Sequence, residues 1–200
     1  MESQTALFDL EQARAIIEKR LSPKRYNHSL GVASAADHLA NLHGEDRERA
    51  QLAGLLHDYA KNLDAPTLLV NAERLGIELS LEDRLLPDLL HGPVGALLVK
   101  RELGLENKQI LQAISSHTMG GIDMEPLDNI IFLADMIEPG RDYPLLERLK
   151  CLCERDLNSA MIFGLDLTIK YCLEQGRLLH PFTVAVRNRL LMLLPNLVIC

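Results

Sequence analysis

The sequence predicts an all-α fold in one domain, and three observations carry that reading. Helix-start and helix-stop residues recur along the chain. Apolar residues return at intervals of three and four, the helical period. Alternating runs of Val, Ile and Thr that would make strands are essentially absent. A length of 200 residues suits one compact core, and 48% apolar with 24% charged residues is the composition of an ordinary globular chain. We expect one domain over 1–200, with its informative part at about 23–146 and C-terminal helices over 150–200 packed on it.

After an N-terminal helix, Ser22-Pro23 places an N-cap residue before a first-turn proline, and the helix they open closes on Gly44. Val32, Ala35, Leu39 and Leu42 give it an apolar stripe. Asp46 opens the next helix, which runs through Ala50, Ala53 and Leu56. Asp64 with Pro66 opens another that stops at Gly76, and Ser80 opens a short one. Pro93 starts a helix that Gly104 ends. Further helices are expected at about 106–116, 128–136, 156–173 and 182–194.

Composition removes several classes of function. The chain has 21 basic against 28 acidic residues, a net charge of −7, which opposes binding to a nucleic-acid polymer. Four Phe, four Tyr and no Trp leave little material for base-stacking platforms. The N-terminus shows no basic stretch followed by an apolar core. The longest apolar candidate, Leu190 to Cys200, is broken by Pro195 and Asn196, so no membrane span is expected. Cys151, Cys153, Cys172 and Cys200 form no metal-binding spacing and read as free thiols in a cytoplasmic protein.

The histidines carry the chemistry. His28 lies on the stripe of Val32, Ala35 and Leu39 and should face inward. His57 ends the run Ala53-Gly54-Leu55-Leu56 and is followed by Asp58. His91 sits at the junction Leu90-His91-Gly92-Pro93. His117 follows Ile110 to Ile114, and Asp135 ends the apolar run Ile130 to Ala134. Each alone has a bland reading as a hydrogen-bonded core group. Together, four His and two Asp at the ends or inner faces of apolar helices point to bound metal, because burying them unpaired is costly. His38, His43 and His180 fall off this pattern and read as structural.

Five ordered strings resemble the HD-domain metal-dependent phosphohydrolases: Arg25 to Val32, Ala53 to Lys61, His91 to Ala96, Ala113 to Thr118, and Leu133 to Arg141. As a set they resemble the YqeK branch, the bacterial symmetrical bis(5′-nucleosyl)-tetraphosphatases. The resemblance implies two divalent metal ions, usually iron, with Mn or Zn also suited to imidazole and carboxylate. His28, His57, Asp58 and Asp135 would hold one ion, and Asp58 would bridge to a second held by His91 and His117. It further implies catalytic roles for Asp58 and Lys61, cleavage of diadenosine tetraphosphate to two ADP, and a homodimer.

Substrate phosphates would be met by Arg25, Lys61, Thr118 and Arg141. Lys61 follows His57 by four residues and Asp58 by three, so a continuing helix would put all three on one face. Base recognition would fall to Phe132, Tyr143 or aliphatic contacts. The competing readings are an HD hydrolase for another nucleotide (a deoxynucleotide or a nucleoside diphosphate), a di-iron oxygenase, and a non-catalytic nucleotide sensor. The apolar segment Leu190 to Leu194 reads as a helix packed on its own core or as a dimer contact.

Overall fold

In the computed structural model, which describes residues 9–193, side-chain caps set most of the helix starts. Asp9 opens α1 (Leu10–Arg20), Ser22 opens α2 (Pro23–His43), Asp46 opens α3 (Arg47–Leu56), Asp64 opens α4 (Ala65–Arg74) and Ser80 opens α5 (Leu81–Leu85). In each, the cap oxygen accepts from the backbone N–H three residues on, satisfying a donor that the first turn leaves free. A 3-10 turn (Pro87–Leu90) leads into α6 (His91–Leu103), and Asn107 opens α7 (Lys108–Ser116). Then follow α8 (Pro126–Ile137), α9 (Leu146–Arg155), α10 (Leu157–Glu174, capped by Asp156) and α11 (Pro181–Leu193). No strand occurs among the described residues.

The centre of the fold is α8. Every residue from Leu127 to Ala134 is buried, so this helix has no solvent face in its middle turns. It packs against α2, α3, α7, α9 and α10. Burial of a large aliphatic side chain contributes roughly 1.5–3 kcal/mol, and α8 alone supplies Ile130, Ile131 and Leu133 fully buried. Two close approaches draw the remaining helices in. A Cβ on Gly54 would lie 2.8 Å from the α-carbon of Ala33, so α3 meets α2 backbone to backbone. A Cβ on Gly92 would lie 2.8 Å from the Ser115 carbonyl oxygen, which brings α6 equally close to α7.

The structure departs from the sequence reading in three places. The buried arc of α2 is Ser29, Val32, Ala33, Ala36, Leu39 and Ala40, whereas Ala35 is half-buried and Leu42 is exposed. The reason is that α2 is covered by α3 and α8 together, which buries a wider and rotated face. α9 begins at Leu146, and its N-cap, Leu145, is a left-handed leucine (φ 71) whose side chain makes no capping bond. α6 starts at His91, with Pro93 already inside its first turn.

At the C-terminal end Leu190 is buried while Met192 and Leu193 are exposed; Leu194 and Cys200 lie outside the described residues. Cys151, Cys153 and Cys172 are free thiols.

Candidate metal centre

Three of the four inward histidines stand where a helix stops. His57 is the C-cap of α3, His117 is the C-cap of α7, and His91 follows the 3-10 turn directly. The last turn of any helix leaves carbonyl oxygens without a partner. Each ring folds back onto one of them. His57 Nδ1 donates to the Gly54 carbonyl (2.7 Å), His117 Nδ1 to the Ile114 carbonyl (2.7 Å), and His91 Nδ1 to the Asp88 carbonyl. A carbonyl only accepts, so Nδ1 carries the proton in all three and Nε2 is left as a bare lone pair.

His28 reaches the same state by another route. It lies on the second turn of α2, and its Nδ1 donates to Glu138 Oε1 at 3.2 Å. Asp135 comes from the last turn of α8, where Arg141 grips it twice: Nε donates to its backbone carbonyl (2.8 Å) and Nη2 to its carboxylate.

These groups converge on Asp58, whose side chain is only 2% exposed. On one side, Asp58 Oδ2 is 3.5 Å from His57 Nε2 and 3.8 Å from His28 Nε2, and His28 Nε2 is 3.0 Å from Asp135 Oδ1. On the other, Asp58 Oδ1 is 3.1 Å from His91 Nε2 and 3.9 Å from His117 Nε2. The two latter nitrogens face each other at 3.0 Å. Three triads have ligand atoms all within 4.8 Å: His28/His57/Asp58, Asp58/His91/His117 and His57/His117/Asp135.

This donor set fits a metal. With the Nδ1 protons committed, the four Nε2 atoms are left as acceptors beside two carboxylates, and the buried Nε2 atoms of His28 and His57 make no hydrogen bond. Leaving a buried polar group unmet costs roughly 1–3 kcal/mol each, which a cation would reverse. A carboxylate with a different pair of imidazoles at each oxygen is suited to two cations rather than one.

The electrostatics ionise the two carboxylates and neutralise His117, whereas at His57 burial is outweighed by the neighbouring Asp58 and Asp135 carboxylates, which raise its pKa. Burial alone would raise the pKa of Asp58, but the imidazoles packed around it, His57 foremost, overcome it and hold the carboxyl well below the usual range. Asp135 is likewise held low against its burial, by His28, His57 and Arg141. His117 is pushed down to about 3 by burial and by the neighbouring imidazoles of His91 and His57, which keeps it neutral and able to ligate.

A cavity of about 290 Å³ opens over Asp58, His91, His117 and Asp135, and Arg25, Lys61, Thr118 and Arg141 all line it. α3 stops before Asp58, so Lys61 does not arrive on a helix face. Successive i→i+3 turns through Tyr59, Lys61 and Leu63 carry it there. Its Nζ lies 3.4 Å from His91 Nδ1, and burial lowers its pKa. Arg25 Nη1 donates to Asp58 Oδ2 (3.0 Å). The Thr118 hydroxyl donates to the Leu89 carbonyl (3.1 Å), so serving a phosphate would require giving up that bond. Phe132 is 4% exposed and offers its edge of the cavity little open ring.

Glu138 is the residue whose part the sequence did not disclose. It is buried, orients His28, and accepts from the Gly140 N–H (2.6 Å). A Cβ on Gly31, three residues after His28, would lie 2.8 Å from Glu138 Oε2, so that glycine makes the room Glu138 occupies. A carboxylate next to an apolar run and a glycine one turn from a histidine were the available signals.

His38, His43 and His180 lie away from the centre. His43 Nε2 contacts the Cys153 carbonyl (2.6 Å), and His180 pairs with Asp83 (3.4 Å) and accepts from the Phe182 N–H.

The HD domain family model matches residues 25–140. The symmetrical bis(5'-nucleosyl)-tetraphosphatase of Halalkalibacterium halodurans is 39% identical over 183 residues, 90% of this chain and 96% of that protein. The protein of the same name from Bacillus subtilis is 36% identical over 178 residues, 89% and 95% of the two chains. A crystal structure from Clostridium acetobutylicum, described as a predicted HD superfamily hydrolase involved in NAD metabolism, is 38% identical with a TM-score of 0.88, covering 91% of this chain and 96% of that one.

Proposed function

The chain belongs to the HD domain family, and we propose that it is a metal-dependent hydrolase that cuts diadenosine tetraphosphate in the middle of its phosphate chain to give two ADP. The names of its relatives support the substrate and the bond. The chemistry rests on one observation: the Nε2 atoms of four imidazoles converge on the two oxygens of Asp58, and Asp135 stands 3.0 Å from one of them, His28. We assign His28, His57, Asp58 and Asp135 to one cation, and Asp58, His91 and His117 to a second. Iron is the metal we propose, and Mn or Zn would suit the same donors. Two divalent cations held by these residues would supply an activated water near neutral pH and charge stabilisation for the phosphoryl oxygens.

The chain's own cations do the rest. A net charge of −7 gives the tetraphosphate no long-range attraction, so positive groups must stand at the cavity itself. Lys61 offers ammonium donors to the phosphoryl oxygens and stabilises charge as the bridge breaks. Arg25 meets Asp58 through Nη1, and a guanidinium has five N–H donors, so others remain for phosphate. Arg141 holds Asp135 in place and presents its outer edge to the cavity. No described helix is long and apolar enough to cross a membrane. We further propose a cytoplasmic homodimer with no nucleic-acid polymer as partner, the exposed Met192 and Leu193 supporting self-association.

The test is product analysis. Purified protein loaded anaerobically with Fe(II) or Mn(II) should release ADP alone from diadenosine tetraphosphate, and a His57→Ala/Asp58→Ala variant should release none. ATP plus AMP would keep the metal centre and reject the cleavage position. Oxygen uptake with no ADP would replace the hydrolase by an oxygenase.

A further inference from the structure

The cavity over the metal centre has neighbours on two sides, and they differ in chemistry. On one side a space of about 470 Å³ shares Arg25, His28 and Arg141 with the centre and adds Lys24 and Asn27. Its cations suit phosphate. On the other side a space of about 330 Å³ shares Met136 and Thr168 with the metal cavity, and its walls are Tyr143, Leu145, Leu167 and Tyr171. That second space has the size and the mostly apolar walls of a small-molecule site. We propose that it seats one adenosine of the dinucleotide, an inference that rests on the hydrolase reading.

The substrate is a polyanion with an uncharged aromatic group at each end. It needs cations along its middle and an apolar slot at an end, and these lie side by side here. The aromatic ring within the metal cavity, Phe132, is 4% exposed and has no open face for a base. Tyr171 is 49% exposed on α10 and lines the second space. Tyr143, in the loop before α9, lines the same space, and its hydroxyl donates to the carbonyl of Met136 (3.0 Å), a residue common to both cavities.

Leu145 adds an independent sign. It is the non-glycine residue with positive φ among the described residues (φ 71), a conformation unfavourable for leucine, and its side chain is 45% exposed. A strained backbone that keeps an apolar side chain on a cavity wall is a pattern of ligand sites. The Lys170/Glu174 pair adds a donor and an acceptor to the same cavity, while the Thr168 hydroxyl, which donates to the Gly164 carbonyl (3.1 Å), can only accept.

Two measurements on the full-length, metal-loaded protein test this. Tyr171→Ala removes the exposed ring, and Leu145→Asn removes the apolar wall while suiting the left-handed backbone. Each should raise KM for diadenosine tetraphosphate about tenfold, the loss typical of one stacked base, with kcat changed far less. Melting temperature and metal content confirm folding. KM unchanged in both variants, or a fall confined to kcat, would overturn the assignment. Separately, 8-azidoadenosine irradiated with the protein should label peptides carrying Tyr143 or Tyr171. Labelling restricted to residues 24–31 would move the base to the cationic side and overturn it. The photolabel needs no turnover, so it still decides the nucleoside seat if diadenosine tetraphosphate proves not to be the substrate.

Discussion

The two sides of the metal centre are made differently. His57, His91 and His117 are fixed by backbone carbonyls three residues earlier in their own segments. His28 and Asp135 are fixed by side chains, Glu138 and Arg141, and His28 lies 110 residues from its partner. The His91/His117 side is set wholly by local chain geometry; on the side where His57 meets His28 and Asp135, His28 is oriented only when α2 and α8 are docked. The difference teaches where the centre is robust. Ligands held by helix ends tolerate change elsewhere, whereas ligands held across the fold depend on every group that keeps α2 and α8 in register.

The largest effect should come from removing the group both sides share. Asp58→Ala is expected to abolish binding of both ions and lower kcat/KM by more than about a thousandfold, measured by metal analysis and ADP release. A variant that kept one full equivalent of metal would show that Asp58 does not join the sides. Next in size, His91→Ala and His28→Ala should each lose one ion while retaining the other, with activity down about 10²–10³-fold in both. Loss of both ions from either variant would erase the distinction between the sides.

Glu138→Gln comes third. The amide can keep the bond from His28 only as a neutral acceptor, so metal affinity on the His28 side should weaken about 10–100-fold with the His91 side unchanged. Equal weakening at both would make Glu138 a general structural residue. The smallest signal controls that test. α9 packs on α2 and α8, and burial pushes its Cys153 thiol up to about 12. At pH 8 about one such thiol in ten thousand is thiolate, so alkylation of Cys153 should lag far behind that of Cys151 and Cys172. The lag should persist in Glu138→Gln; rapid labelling would mean that α2 and α8 had come apart.

This asymmetry also explains what could be read from the sequence. The helix-end histidines announce themselves because each closely follows an apolar run, and the cap residues Ser22, Asp46 and Asp64 mark their helices by local hydrogen bonds. α9 begins without such a mark, since Leu145 caps nothing. Lys61 reaches the cavity through turns and not along a continuing helix, because nothing in Asp58-Tyr59-Ala60-Lys61 signals where α3 ends. Glu138 escaped because its role depends on Gly31, a residue more than a hundred positions away, being too small to fill the space.

The contact of Gly54 with Ala33 has a thermal consequence. Backbone meets backbone there, so the spacing between the helix bearing His28 and the helix leading to His57 and Asp58 is set by atoms with no rotamers to relax. Side-chain motion on warming cannot widen it gradually. Inactivation on heating should therefore track the cooperative unfolding transition itself, with no lower-temperature stage in which a folded enzyme has already lost its function.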